Sequence, residues 1–463
     1  MKNNQQQDQN KSKDFETIFR NAPDNKRMQY FNDWYKKALF KDEITGLVYF
    51  YNGIKWEAIK DDHLRVAVSE FFDEKEVGYN INKVDSLFKL ISLKSKPIEK
   101  PNLDFIPFLN GVLNRKTGEF LPHNEKYFLR NVLPFDYSLE DKPMPNFEKW
   151  INWVSQNDKQ KKRTILAAFY MILTNSYEWQ LFLEITGVGG SGKSIFNEIA
   201  IMLVGEENST SVYLKDLEKA SSRIKLLDKI LIFAPDQGRI VTDGAVLKGL
   251  TGDDVMHFEP KYKNAFDARV KSIFLMTNNE PIIFTENNGG IARRRVLFHF
   301  SEKVPEKMKD IYLKEKLKYE LPQIINLIIN TFKDNPMEGK DLLEEQKASS
   351  EALNLKIKND HLMHFASFLE TRENNNNGLK AGITTNNADN NFMTALYSAY
   401  LFYCNYYNIK HPIKRNSFLD ELKNALSEHK VKYPVFESVR DGYKRTNIYF
   451  KNDIVEVLKE WRG

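Results

Sequence analysis

The stretch "EITGVGGSGKS", residues 184–194, decides the fold. It follows the apolar run "WQLFL" and opens "KSIFNEIAIMLVG", so a buried strand feeds a glycine-rich loop that starts a helix. Gly187, Gly192, Lys193 and Ser194 stand at the spacing of a loop whose backbone N–H groups turn inward around phosphate oxygens. The N-terminus of the helix adds its partial positive charge to the same spot. Gly187, Gly189, Gly190, Ser191, Gly192, Lys193 and Ser194 are therefore the expected nucleotide cradle. Lys193 should reach the β- and γ-phosphates of ATP, and the Ser194 hydroxyl should ligate Mg²⁺. The loop is silent on what the phosphates drive.

Two further apolar strands follow, "KILIFAPDQG" (229–238) and "VKSIFLMTNNEP" (270–281), each ending in polar residues. Strand, loop and helix with more apolar strands behind predict an α/β nucleotide-binding core. Asp236 is placed to share the metal with Ser194 and to orient water. Its neighbour is Gln237, so the Asp-Glu pair of many ATPases is absent. At the third strand end Asn278, with Asn279 second, offers an amide to the γ-phosphate and the attacking water. Thr-Asn-Asn-Glu-Pro also suits an ordinary turn.

"GGIARRRVLFHF" puts Arg293, Arg294 and Arg295 before another apolar strand. An arginine given across a subunit boundary stabilises charge on a phosphate in transfer, which would make the active site an interface within a ring. A basic surface turn is the plainer alternative. Residues 255–270 alternate and turn at Pro260, predicting a hairpin with Lys261, Tyr262 and Lys263 at its tip. Two cations flanking an aromatic can grip a DNA backbone and stack on a base, although most lysine-rich turns are simply solvated.

The chain has 463 residues, 41% hydrophobic and 28% charged, which predicts roughly three domains. No apolar run approaches the ~20 residues needed to span a bilayer, and "MKNNQQQDQNKSKDFE" lacks a signal-peptide core, so a cytoplasmic protein is expected. The single Cys404 excludes a disulfide framework or a multi-cysteine zinc site. The net charge of +5 suits a nucleic-acid partner without requiring one.

Composition divides the chain into a polar tail (1–14), an N-terminal α+β domain (15–140), a helical collar (141–178), the P-loop core (179–335) and a helical connection (336–360). Hairpins are expected at 46–59, around Asn52-Gly53, and at 108–123. Residues 361–463 combine apolar helices, a flexible polar insert near 373–391, and the strands "YPVFESV" and "TNIYFK" joined at Asp441-Gly442. Helices followed by a two-stranded wing predict a winged-helix DNA-binding domain, with Lys414, Arg415, Lys444 and Arg445 as candidate contacts.

The order of P-loop, acidic strand end, basic hairpin, asparagine strand end and arginine cluster within residues 187–295 resembles the AAA+ core of superfamily 3 helicases. It is most similar to the branch found in poxvirus and satellite-phage primase–helicases and in replication initiators of staphylococcal pathogenicity islands and cassette elements. "FLNGVLNRKTGEFLPH" and "NVLPFDYSLEDKPMPNFEKW" resemble that branch's pre-helicase domain, and "LTGDDVMHFEPKYKNAF" its hairpin. The resemblance covers about residues 40–460. It implies a homo-hexameric ring that threads single-stranded DNA, unwinds forked duplex in the 3′ to 5′ direction and acts at a replication origin. Lys193, Ser194, Asp236 and Asn278 would act in cis and Arg294 or Arg293 from the neighbour, while Lys261, Tyr262 and Lys263 would track DNA in the pore. No DxD pair and no zinc-binding cysteines are present, so primase activity is not expected. A site-specific origin binder in which ATP only switches assembly, and an unrelated P-loop ATPase acting on protein or a small molecule, are the alternatives.

Overall fold

The computed structural model describes residues 15–138, 140, 142–236, 241–242, 244–261, 264–284, 290–373, 377–382, 394–409, 412–440 and 443–452. The N-terminal region is α+β. A helix over 15–21 and α1 (Asp24–Tyr35) precede β1 (Leu39–Lys41), β2 (Val48–Tyr51) and β3 (Trp56–Ile59). Then come α2 (Asp61–Glu74), α3 (Ile81–Lys94) and β4 (Lys96–Pro97), which completes a sheet of order β3-β2-β1-β4. The hairpin expected at 46–59 forms, with Val48 opposite Ile59 and Tyr51 opposite Trp56. Its turn is fixed by Asn52, whose Oδ1 accepts the N–H groups of Ile54 and Lys55. Phe31, Val68 and Phe71 are fully buried beneath it.

The stretch 108–123 is more than the single hairpin expected. It belongs to a three-stranded meander of β5 (Phe105–Phe108), β6 (Gly111–Asn114) and β7 (Phe120–Leu121). One turn at Leu109-Asn110 pairs β5 with β6. A second follows Asn114, whose side chain accepts the N–H groups of Lys116 and Thr117.

Two helices, α4 (Pro145–Val154) and α5 (Lys159–Leu173), lead into the central domain. Its strands are β8 (Phe182–Gly187), β9 (Ser209–Ser211), β10 (Leu231–Pro235), β11 (Val241–Thr242), β12 (Met256–Phe258), β13 (Phe266–Ala268), β14 (Ile273–Asn278), β15 (Ile283–Phe284) and β16 (Arg295–Phe300). Helices α6 (Lys193–Val204) and α7 (Ala245–Thr251) lie among them, and α8 (Leu313–Phe332) and α9 (Pro336–Lys347) follow. Five strands form a parallel sheet of order β16-β8-β14-β10-β9.

Strand alternation sends Leu183, Ile185, Leu231, Ile273 and Leu275 to one face, where α4, α5, α6 and α8 cover them. Phe182, Ile232, Ala234, Phe274 and Met276 face the other side, against α7 and the β12–β13 hairpin. Both faces are buried, which is why these strands read as continuous apolar runs. The helices expected as a collar pack into this same core: Ile165 to Leu173 are all buried, and the Phe169 and Phe196 rings stack 4.5 Å apart.

The C-terminal region has its own apolar cluster. It comprises α10 (Ser350–Asn359), α11 (His361–Ser367), β17 (Leu369–Thr371), α12 (Leu396–Tyr406), α13 (Arg415–Glu428), β18 (Glu437–Arg440), β19 (Tyr443–Thr446) and β20 (Ile448–Phe450). Two expectations change here. The partner of β18 is Tyr443–Thr446, whereas the expected partner strand "TNIYFK" mostly belongs to β20, which pairs with β17. The break falls at Asn447, fully buried, whose amide donates to the carbonyls of Arg372 and Pro434 and accepts from Phe436 N–H. Within the stretch expected as a flexible insert, residues 377–382 are tied down: Leu379 N–H donates to Ile448 O at 2.9 Å and Lys380 N–H to Thr394 O at 2.9 Å. The Asp441-Gly442 turn, the tail 1–14 and the rest of that insert's core (383–393) lie outside the described residues.

Candidate nucleotide site and its surroundings

Gly187 ends β8 with φ +147, and a Cβ there would lie 2.1 Å from the carbonyl oxygen of Phe300, so only glycine lets β8 and β16 close at this point. Gly192 has φ +105 and sits against Trp150 and Val154, with Trp150 Nε1 donating to its carbonyl at 3.3 Å. Gly189 faces open space. Between them Ser191 is 1% exposed, and its hydroxyl has no hydrogen-bond partner among the described residues. Ser194 is exposed on the first turn of α6.

Lys193 is 8% exposed and its ammonium group is folded onto the loop: it donates to Gly187 O at 2.6 Å, Val188 O at 2.9 Å and Asn279 Oδ1 at 3.2 Å. Burial pushes its pKa below the ordinary lysine value, and the negative charge of Asp236 acts in the opposite sense. A buried cation satisfied only by weak carbonyl and amide dipoles, beside an orphaned hydroxyl and a glycine-lined turn, fits an anionic ligand.

The sheet register brings the other strand ends to this loop. Asn278 pairs with Thr186 at the end of β8, and Thr277 with Pro235 at the end of β10. Asp236 is the next residue, exposed, with a left-handed φ of +41, and its N–H donates to Thr277 O at 2.9 Å. Aspartate tolerates this conformation better than most residues, and such strain clusters at functional sites. Of the two asparagines, Asn279 touches the Lys193 ammonium group, while Asn278 is buried as the last strand residue. Consecutive residues leave a strand on opposite faces, so a choice between neighbours is beyond residue type alone. Among the described residues no cluster of three or more His, Cys, Asp or Glu is placed to hold a metal.

The arginines lie at the other end of the sheet. Arg295 pairs with Phe182, the first residue of β8, and Phe300 with Gly187, the last, so the cluster stands about 17 Å from the start of the phosphate loop. The three side chains differ. Arg295 is buried against Glu184, with Nε 2.6 Å from Glu184 Oε2 and Nη2 donating to Ile282 O. Glu184 is fully buried and also accepts Ile282 N–H at 2.8 Å. Arg294 is 8% exposed and donates to Gly290 O at 2.8 Å. Arg293 is exposed. Sequence reasoning missed the Glu184 partnership, yet a lone acid in "LFLEITG" signals a buried charge that needs a cation.

The hairpin between α7 and β14 forms as expected, with Phe258 and Phe266 stacked 5.5 Å apart where its strands meet the turn. His257 is 2.8 Å from Asp267 across the strands. Lys261 is exposed at the tip; Tyr262 and Lys263 lie outside the described residues.

In the C-terminal region one candidate cation, Arg415, reaches residues 377–382 with its side chain, and two others, Lys444 and Arg445, pair with that stretch through their backbones. Arg415 opens α13, preceded by Lys414, and reaches Gly382, where a Cβ would stand 3.3 Å from its Nη2. Lys444 accepts Ala381 N–H through its carbonyl, and Arg445 bridges Lys380. Lys444 is ion-paired to Glu437, which also pairs with Lys423.

Residues 28–156 match a family model described as D5 N terminal like, and residues 185–295 match a family of unknown function, DUF5906. Among solved structures, the chain is similar to the A form apo structure of the NrS-1 C terminal region, at 11% identity over 91% of this chain and 99% of that one, with a TM-score of 0.47. A second structure of that region, residues 305–718 in its own numbering, matches at 10% identity over 89% and 96%, with a TM-score of 0.44. The phage P4 origin-binding domain matches at 22% identity over 20% of this chain and 91% of that domain, with a TM-score of 0.19. Among the described residues no helix is long and apolar enough to cross a membrane.

Proposed function

We propose that this chain is an ATP-dependent DNA helicase, a homo-hexameric AAA+ ring of the superfamily 3 type that initiates replication of a mobile genetic element. The observation that carries the reading is the division of the sheet: Lys193, Asp236 and Asn279 meet at its carboxyl end, while an exposed arginine waits at its amino end. A head-to-tail ring sets the amino end of one copy against the carboxyl end of the next. The D5 N terminal like match over 28–156 falls where the pre-helicase resemblance was read, and supports it.

MgATP bound at the loop supplies the phosphoryl group whose transfer to water drives the motor. The loop N–H groups hold its phosphates, and Lys193 exchanges the Gly187 and Val188 carbonyls for phosphate oxygens. Ser194 and Asp236 would hold the metal, and Asp236 with Asn279 or Asn278 would orient the attacking water. Arg293 of the neighbouring copy, with Arg294 behind it, meets the charge that develops on the transferring group. Lys261, Tyr262 and Lys263 track single-stranded DNA in a 3′ to 5′ direction.

The deciding experiment is ATP hydrolysis by the purified full chain with and without single-stranded DNA. Clear stimulation is expected, with Lys193→Ala reducing hydrolysis and unwinding to background while the melting curve holds. Unwinding that survives Lys193→Ala would sink the reading.

The reach of Arg415 over Gly382, beside strand β19 that carries Lys444 and Arg445, favours a second role, origin binding by a C-terminal winged helix. Lys414→Ala with Arg415→Ala should then abolish preference for origin duplex over random duplex. Binding that is sequence-blind and salt-sensitive from the start would count against this role.

A further inference from the structure

The phosphate loop has a flank that the residues above do not use. β16 borders β8 on the side away from β14 and β10, so the chain leaving β16 passes the loop opposite Asp236 and Asn279. That segment is fixed at three points. Gln156 Nε2 donates to Ser301 Oγ at 2.6 Å, Trp153 Nε1 donates to Glu302 O at 3.2 Å, and Val304 N–H donates to Gly190 O at 2.9 Å. Lys303 stands between these anchors. Its side chain lies along Gly190, where a Cβ would be 3.7 Å from Lys303 Cγ and 3.9 Å from Cε. The nearby Lys309 is paired with Glu306 at 2.5 Å, whereas Lys303 feels the Glu306 charge but makes no ion pair within 4 Å among the described residues. Lys303 is exposed, but the backbone on both sides is anchored to the loop and to α4, and its methylenes run along Gly190 of the phosphate cradle.

We infer that Lys303 is a second cation of the nucleotide site, binding the non-transferred phosphates of a nucleoside di- or triphosphate in cis. The inference rests on the reading of residues 187–194 as a phosphate loop. The γ-phosphate must lie on the flank where Lys193, Asp236 and Asn279 meet, because those groups serve the transfer. The other flank, over Gly190, is left to the α- and β-phosphates, and Lys303 is the unpaired cation there. A cation on that flank should act alike on MgADP and MgATP.

The test is equilibrium binding of fluorescent MgADP and MgATP to the full chain. Lys303→Met keeps the methylenes packed on Gly190 and removes only the charge. Its affinity for both nucleotides should fall about tenfold, as expected for one lost charge-assisted contact, with an unchanged melting temperature and little change in the turnover rate at saturation. Lys303→Arg should recover most of the binding. Lys303→Met protein that binds MgADP as tightly as wild type would overturn the inference and leave the phosphate-loop reading standing. Wild-type protein that binds neither nucleotide would overturn both.

Discussion

The two ends of the parallel sheet solve opposite problems with the same strands. At the carboxyl ends of β8, β10 and β14 the backbone is strained and polar groups are left underused: Asp236 has φ +41, the Ser191 hydroxyl is buried with no partner among the described residues, and Lys193 rests on its own loop's carbonyls. Near the amino ends of β8 and β16 the charges are matched, with buried Glu184 and partly buried Arg295 joined at 2.6 Å, Glu184 accepting Ile282 N–H and Arg295 Nη2 donating to Ile282 O. The first end is built to be completed by something else, the second to hold the sheet. Arg293, exposed beside the locked Arg295, is the exception at the structural end, and that makes it the residue available to another molecule.

If this contrast is right, the two kinds of arginine separate cleanly. Arg293→Ala should lower ATP hydrolysis about 10³-fold, the lower range for a trans arginine, with no change in thermal melting. A melting loss as large as the activity loss would place Arg293 with the structural set. Arg295→Ala should do the reverse in kind: it strands Glu184 in the core and should cost about 3 kcal/mol of stability, read from urea midpoints. Replacing both partners, Glu184→Leu with Arg295→Met, should return stability to within about 1 kcal/mol of wild type, because a well-packed apolar pair avoids desolvating two charges. A double variant as unstable as Arg295→Ala would mean that the site cannot accept the new shapes.

Much of this was legible in the sequence because it is local. The glycine spacing at 187–192 needs particular backbone angles, and the apolar runs before Asp236 and Asn278 are what a sheet buried on both faces requires. The Asn52-Gly53 hairpin is set by its own turn chemistry. What stayed hidden depends on partners distant in the chain. Asn279 rather than Asn278 meets Lys193 because of how β14 ends beside β8, and Arg295 is taken out of contention only by Glu184, more than a hundred positions earlier. Likewise "TNIYFK" reads as a wing strand until buried Asn447 turns β20 toward β17, a pairing that no short-range pattern announces. The placement of Lys303 escaped for the same reason: nothing about a lysine in an exposed turn says that the next residue, Val304, is bonded to Gly190.

Sharing of one catalytic site between two copies is tested most directly by a mixing experiment. Lys193→Ala and Arg293→Ala proteins, each inactive alone, are combined in equal amounts and assayed for ATP hydrolysis with single-stranded DNA. Random assembly of a ring should restore activity at about a quarter of the interfaces, those that join an intact phosphate loop to an intact arginine. A mixture as inactive as its two components, under conditions where the copies exchange, would show that the arginine and the phosphate loop do not meet across subunits.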